Sequence, residues 1–341
     1  MNTEPPDLDR DALVSALGAW ELSIGSLAYL PVGAGSHHYL AHDSLGGRWF
    51  VTVDELLVKL FGHSGPTFSP WVEVDLDAGF AVLDRAFRTA AALRESGLEF
   101  VHAPIRRPDG EVLTRVGDYA VSVFSFIEGI PDTPRKDQRR HRLLTALGRL
   151  HASTEAVPPG LAQHDPLTVP LKDRCLETLT NLRSPWDHGP YGEAARSLLR
   201  GNADRIRELF TRCDELADAV RAAEITWVVT HGQMHGGNIV HTEDDRLLFV
   251  DWDCVAVAPR ERDLGTWGNG LDPKTDEDWA AYGGGGLRRD LDPGAMELYR
   301  YIGALWTICS DTEIFRKPHA DNGDTRHEWT QLQNALSTIE D

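Results

Sequence analysis

The stretch "VVTHGQMHGGNIV", residues 228–240, with "LLFVDWD", residues 247–253, decides how the rest of the chain is read. An apolar run ends at His231, and a loop holding Gly232, Gly236 and Gly237 leads to Asn238, seven residues further on. A second apolar run then delivers Asp251 and Asp253. Hard divalent cations take oxygen ligands, and an amide oxygen with two carboxylates is such a donor set. An ordinary strand running into a polar turn would show the same carboxylates. Zinc is the other metal to weigh, because His231 and His235 have the spacing H-x-x-x-H. Gly232 replaces the glutamate of a HExxH helix, however, and Gly236-Gly237 argue against a helix at all, so zinc is set aside.

Upstream, the pattern is strand-rich. "DALVSALGAW" (11–20) has the spacing of a short amphipathic helix. The segment 27–56 alternates around the turn signal Ser44-Leu45-Gly46-Gly47, which predicts antiparallel strands near 27–32, 37–43 and 48–53. Residues 79–97 keep apolar positions at helical spacing and stop at Gly97. "EFVHAPI" (99–105) and "YAVSVFSFI" (119–127) supply two more strands. Downstream, 135–155, 192–222, 292–310 and 325–339 read as helices, and Gly283–Gly286 as a flexible loop. The expected class is α+β, with a β-rich lobe at 1–128 and a larger, mainly helical lobe at 129–341.

Charge narrows the partners. With 34 basic against 53 acidic residues, the formal charge is −19. That argues against nucleic acid and anionic membranes, and either for a cationic ligand or a basic surface or, more simply, for solubility alone. No apolar run approaches the roughly 20 residues of a membrane span. The acidic start shows no apolar signal segment. Cys175, Cys213, Cys254 and Cys309 are scattered without a CxxC pair, as expected of reduced thiols, and the expected location is the cytoplasm.

From about residue 25 to 310 the chain resembles the aminoglycoside phosphotransferase family, relatives of choline kinase and protein kinases. The resemblance is most specific at 231–263. "LPVGAGSHHY" (30–39), "WFVTVDEL" (49–56) and "VDWDCVAVAPRERDL" (250–264) look like its spectinomycin phosphotransferase-like branch. The resemblance implies a bilobal protein-kinase-like fold, with ATP or GTP as phosphoryl donor and Mg2+ as the ion. It makes Asn238 and Asp251 metal ligands, with Asp253 sharing the ion or holding a water in its shell. His231 becomes a brace of the loop, while Gln233 and His235 lie near the reacting hydroxyl. The turn at Gly33, Gly35 and Ser36 would bring backbone N–H groups to the phosphates, although an ordinary hairpin carries the same glycines. His37 and His38 add polar contacts there or simply face solvent. In the hinge, 123–129, Phe124 and Phe126 are candidates for contact with the base. Arg262 and Asp263 read as a structural ion pair. The acceptor pocket would draw on Asp276, Asp278 and Asp311, with Glu277 and Glu313 as further acids. Trp267, Trp279 and Trp306 either wall that pocket or pack the core.

Two residues depart from the family pattern. Thr52 stands where the third strand normally supplies a lysine for the nucleotide phosphates. Arg48 shares its face but lies further off, and Lys59 lies beyond the strand. The helix acid that normally pairs with the lysine is open between Glu73 and Asp84. Gln233 replaces the catalytic aspartate, and an amide can orient a hydroxyl but cannot take its proton. Losing a general base costs on the order of 10²–10⁴ in rate, unless a neighbour such as His235 takes the proton. The expected function is therefore a nucleotide-dependent kinase acting on a hydroxyl of a small cationic molecule, such as an antibiotic or natural-product intermediate. The alternative is a catalytically impaired pseudokinase that binds a basic peptide or a protein partner in a biosynthetic pathway.

Overall fold

The computed structural model describes residues 1, 3–5, 7–33, 35–56, 59, 75–131, 137–265, 271–283 and 289–339. Helix α1 (Arg10–Leu17) begins where the Asp9 side chain accepts from the N–H groups of Asp11 and Ala12. Its Leu13 and Leu17 pack on one face of an antiparallel sheet with Tyr39, Val51, Val53 and Val121. That sheet is built from β1 (Ile24–Leu30), β2 (His37–Asp43), β3 (Arg48–Glu55), β4 (Thr114–Val116) and β5 (Tyr119–Ser125), in the spatial order β1-β2-β3-β5-β4. Side chains alternate across a strand, so the odd residues Val51 and Val53 of β3 go to α1. Phe50, Thr52 and Asp54 therefore share the opposite face. Helix α2 (Leu76–Glu95) contributes Leu83, Phe87 and Ala91 to the cluster that also buries Ala120 and Phe124.

One expected strand is absent. Residues 99–105 form no ladder; Val101 makes a single bridge to Phe249, and the edge strand is β4, paired with β5. Pro104 lacks the N–H that a ladder requires. The apolar run packs instead, with Phe100 and Val101 buried in a core cluster with Leu143, Leu147, Phe249 and Trp252. The N–H of His102 reaches the Phe249 carbonyl, and that of Phe249 the Phe100 carbonyl.

The remaining chain forms helices α3 (Asp137–His151), α4 (Lys172–Thr180), α5 (Gly192–Ala222), α6 (Glu261–Gly265), α7 (Asp276–Tyr282), α8 (Pro293–Phe315) and α9 (Gly323–Thr338). Two small sheets lie among them. One joins β6 (Gly129–Pro131), β9 (Ile239–Thr242) and β10 (Leu247–Phe249); the other joins β7 (Gln163–His164), β8 (Trp227–Thr230) and β11 (Ala256–Pro259). Helix α5 is legible over its full length because Ile206, Leu209, Phe210, Cys213, Leu216, Ala217 and Val220 recur three and four apart and are all buried. Helices α4, α6 and α7 are not expected from the sequence, being too short for a clear period. Helix α8 starts at Pro293, with Asp292 accepting from Ala295 N at 2.7 Å, and runs past the expected end to Phe315.

The four cysteines are buried free thiols. No helix among the described residues is long and apolar enough to cross a membrane. Glu73, Trp267 and Gly284–Gly286 of the expected loop lie outside the described residues.

Asp278, expected in an acceptor pocket, is instead a structural residue. It closes a capping box with Thr275 at the start of α7 and meets Arg140 of α3 at 3.1 Å. The Arg140 hydrogen bond outweighs burial, and backbone N–H groups of Lys274 and Thr275 add to it, holding the carboxyl at about 2. A folded-state value below the ordinary carboxylate range stabilises the fold above that range and ceases to do so as the pH falls toward 2. Asp278→Asn is therefore expected to cost about 2 kcal/mol at pH 7. The difference between variant and wild type in chemical denaturation should shrink as the pH is lowered from about 4 toward 2.

Candidate active site

The loop after β8 is fixed from beneath by Asp263. Its carboxylate accepts from the backbone N–H of His231 at 2.8 Å and of Gly232 at 2.7 Å, and meets His151 Nε2 at 3.1 Å. Burial pushes this carboxyl up, but the His151 hydrogen bond, the charges nearby and the Gly232 N–H hold it below its ordinary range. Gly232 has φ +91°, and a Cβ there would run into the Arg262 guanidinium, so only glycine fits. Arg262 pairs with Asp165 at 2.9 Å and donates to the Cys254 carbonyl at 2.9 Å. Arg262 and Asp263, expected as an ion pair, are anchored on other groups: Arg262 on Asp165 and the Cys254 carbonyl, Asp263 on the loop N–H groups and His151.

His231 braces the loop. Its Nδ1 accepts from Gln233 N at 3.3 Å, which leaves Nε2 to donate to the Val250 carbonyl at 2.8 Å. The ring lies 4.6 Å from Trp252, and burial lowers its basicity. His235 is used differently. Its Nδ1 accepts from Gly237 N at 3.2 Å, capping the single turn Gly236–Asn238. Burial, then His231, brings its pKa down to about 4. With Nδ1 accepting, the proton of the neutral ring sits on Nε2, so this conformation offers no good proton acceptor. Gln233 commits its backbone to the loop, and its half-buried side-chain amide makes no hydrogen bond to the described residues.

Asn238 donates through Nδ2 to the Gln233 carbonyl at 3.0 Å. That orients the amide and leaves Oδ1, the oxygen a hard cation takes, unspent on this bond. Val250 N donates to the Asn238 carbonyl at 3.0 Å, tying the start of the acidic segment to the loop. Asp251 follows in the left-handed region, φ +65°. A non-glycine residue there costs on the order of 1–2 kcal/mol, a strain that tends to persist at functional sites. Burial, then the charge of Asp253, pushes the Asp251 carboxyl up to about 7. Crowded acids in a segment tied to the loop that carries this amide suit a divalent cation, which would relieve their repulsion. Among the described residues no three His, Cys, Asp or Glu side chains form a metal-binding group, so such a site depends on the Asn238 amide as its third ligand.

Lys59 lies beyond the strand, as the sequence places it, and the structure brings its amine to the acidic segment. Its Nζ lies 2.6 Å from Asp253 Oδ2 and 3.1 Å from Asp54 Oδ1. Ser36 Oγ donates to the same Asp54 oxygen at 2.6 Å and accepts from Lys59 at 3.1 Å. Gly33 and Gly35 precede it at φ +70° and +80°, so the turn between β1 and β2 has the left-handed backbone that its glycines predict. Thr52, on the same face as Asp54, meets His38 Nδ1 at 3.3 Å. Phe50 completes that face, its ring 4.7 Å from His38. Sequence reasoning misses Asp54 and Phe50, although strand parity with Thr52 points to both. Arg48, the other basic residue on that face, pairs instead with Glu128 at 2.5 Å over the Phe126 ring. Asp84 is 3.7 Å from Arg88 on its own helix.

The two hinge phenylalanines separate. Phe124 is core, packed edge-on to Phe87 and stacked on His102 at 5.3 Å. Phe126 lines a cleft of about 420 Å³ with Arg48, His102, Ser125, Glu128 and Arg246. None of the charged-centre residues lies in its walls. The expected acceptor acids are not gathered. Asp276 and Glu277 are exposed at the start of α7. Glu313 is held by Arg174 and Arg316. Asp311 is buried with neither oxygen meeting a hydrogen-bond donor, and burial, then Glu328, pushes it up to about 9. It is thus a neutral acid near pH 7. Trp279 packs on Tyr282 at 5.9 Å as core, and Trp306 is half-buried on α8.

A braced loop presenting an amide, two acids after a strand, and a glycine turn above them define a kinase-like phosphotransferase fold. Residues 30–299 match the phosphotransferase enzyme family model, and the chain belongs to that family. Among curated relatives it is similar to Protein StrN of Streptomyces griseus, 26% identical over 287 residues, covering 78% of this chain and 80% of that one. Among solved structures it is similar to spectinomycin phosphotransferase APH(9)-Ia in complex with ADP and spectinomycin, with TM-score 0.70, 16% identity and 98% of each chain covered. Amicoumacin kinase hAmiN, in complex with AMP-PNP, Ca2+ and its ligand Ami, aligns with TM-score 0.58 and 13% identity over 97% of this chain and 93% of that one.

Because Asp263 holds two loop N–H groups and a buried histidine, Asp263→Asn is expected to cost about 3 kcal/mol. Thermal unfolding would show the loss as a Tm several degrees lower. A variant as stable as the wild type would mean that the loop holds its shape without this clamp.

Proposed function

We propose that this protein transfers the γ-phosphoryl group of ATP or GTP, with Mg2+, to a hydroxyl of a small cationic molecule of the antibiotic or natural-product-intermediate kind. The observation that carries the reading is the Asn238 amide, oriented by its bond to the Gln233 carbonyl, in a loop whose Asn238 carbonyl takes the N–H of Val250, the residue before Asp251. The small-molecule acceptor is supported by what the similar proteins are named for, spectinomycin in one and amicoumacin in the other. Bound at Asn238, Asp251 and Asp253, the ion would neutralise phosphate charge as the group moves.

The chain's own residues then have limited work to do. Gly33, Gly35 and Ser36 would place backbone donors over the phosphates. Phe50 offers a flat apolar ring beside them. The Gln233 amide, uncommitted within the loop, orients the attacking hydroxyl. Phosphoryl transfer passes through a loose transition state, so positioning and electrostatics carry most of the catalysis and a missing base slows it without forbidding it. The Gln233 substitution is also what favours the second reading, a pseudokinase that holds a ligand or partner without transfer.

Two variants separate these readings, assayed for nucleotide turnover and for function in the producing cell. Asp251→Asn removes a metal-binding charge and is expected to abolish transfer. Gln233→Asp is expected to keep kcat at or above wild type, with weaker nucleotide binding because another carboxylate enters an acidic site. Full turnover by Asp251→Asn would defeat the kinase reading. Thermal-shift titration with ATP and GTP, with and without Mg2+, reads the site directly: ion-dependent stabilisation is expected, and no shift at millimolar nucleotide favours the pseudokinase.

A further inference from the structure

Lys59 is more heavily surrounded by acid than a structural ion pair requires. Its side chain is 8% exposed, between Asp253 at 2.6 Å and Asp54 at 3.1 Å. One buried amine thus lies against two carboxylates. Buried charge of one sign is costly unless matched, so the cluster is built to receive more positive charge. A divalent ion held by Asp251 and Asp253 would supply it, and Lys59 would then lose the carboxylate at its shorter contact. An ammonium released in that way, still anchored at Asp54 and beside the Ser36 hydroxyl under the glycine turn, lies where triphosphate oxygens would enter.

We propose that Lys59 is the phosphate-binding amine of this protein. It supplies, from beyond the end of β3, the group that Thr52 lacks, and it exchanges Asp253 for nucleotide phosphate when the metal–nucleotide complex binds. Asp54, two residues after Thr52 on the same strand face, is its anchoring carboxylate. The positive group at this site is therefore relocated, and its counter-ion comes from the strand itself. Thr52 has turned to His38 at 3.3 Å and has no amine to offer. Arg48 is engaged at 2.5 Å with Glu128. The inference rests on the nucleotide-dependent reading above.

The test compares Mg2+ with a non-hydrolysable ATP or GTP analogue against the parent nucleoside, by calorimetry on the full chain. An amine that contacts phosphate matters only to the ligand that carries phosphate. Lys59→Ala is expected to weaken analogue binding by roughly 10- to 100-fold, the size of a charge-assisted contact, and to leave nucleoside binding unchanged within about threefold. Thr52→Lys in the Lys59→Ala background is expected to recover much of the lost affinity. If Lys59→Ala does not fold, Asp54→Asn/Lys59→Gln, which removes the opposing charge together with the amine, carries the same comparison. Unchanged analogue affinity in a folded variant overturns the proposal and leaves the kinase reading standing. An equal loss for analogue and nucleoside overturns it too, showing that Lys59 only supports the fold. A wild-type protein that binds neither ligand overturns both.

Discussion

The ion pair between Lys59 and Asp253 joins the chain just past β3 to the chain just past β10, and the candidate site is arranged around it. A pair this deeply buried adds little net stability, because desolvating both charges offsets most of their attraction. Breaking it is another matter, since an uncompensated charge buried in the interior costs several kcal/mol. The pair therefore works as a constraint. Lys59 can stay charged only if Asp54 and Asp253 face it. Asp54 in turn fixes the Ser36 hydroxyl, and Ser36 comes directly after the glycine turn.

A second constraint acts from the opposite side. Asp263, fully buried, takes the N–H groups of His231 and Gly232, so the loop has little freedom at its start. The imidazole of His231 fixes the next step by accepting from Gln233 N and donating to the Val250 carbonyl. The Asn238 amide closes the loop on the Gln233 carbonyl. These polar side chains thus leave Gln233 with a committed backbone and an uncommitted amide. Positioning survives in this loop even though its proton acceptor does not.

How much of this is legible in the sequence depends on how local the cause is. The loop from His231 to Asp251 announces itself because glycines, an amide and acids fall at fixed offsets within a few turns of chain. Helix α5 is legible because its buried residues repeat over many turns. Residues 99–105 mislead because an apolar run looks the same whether it pairs in a ladder or packs as cover, and only Pro104 hints at the latter. Lys59 escapes because strand parity says nothing about a residue four positions past Glu55, the end of β3. Its partner Asp253 is separated from it by 194 residues, a contact no local pattern encodes. Asp278 and Asp311 mislead for a related reason. Acids on a helix look alike in sequence, yet one closes a cap against Arg140 and the other is buried beside Glu328.

The neutral residue at 233 also makes sense against the charge of its surroundings. Asp54 and Asp253 already share a single ammonium, and on the proposed reading a further carboxylate in the loop would add to the repulsion that an incoming triphosphate meets. An aspartate there would gain a proton acceptor at the expense of nucleotide affinity. An amide keeps the hydrogen-bonding geometry and leaves the negative charge lower. A loose transition state depends more on in-line placement and on charge neutralisation than on early proton removal. Electrostatics and geometry thus favour an amide at a crowded anionic site, while proton transfer favours a carboxylate. With the ammonium already shared between two acids, the balance of these terms would give the glutamine a physical role on the proposed kinase reading.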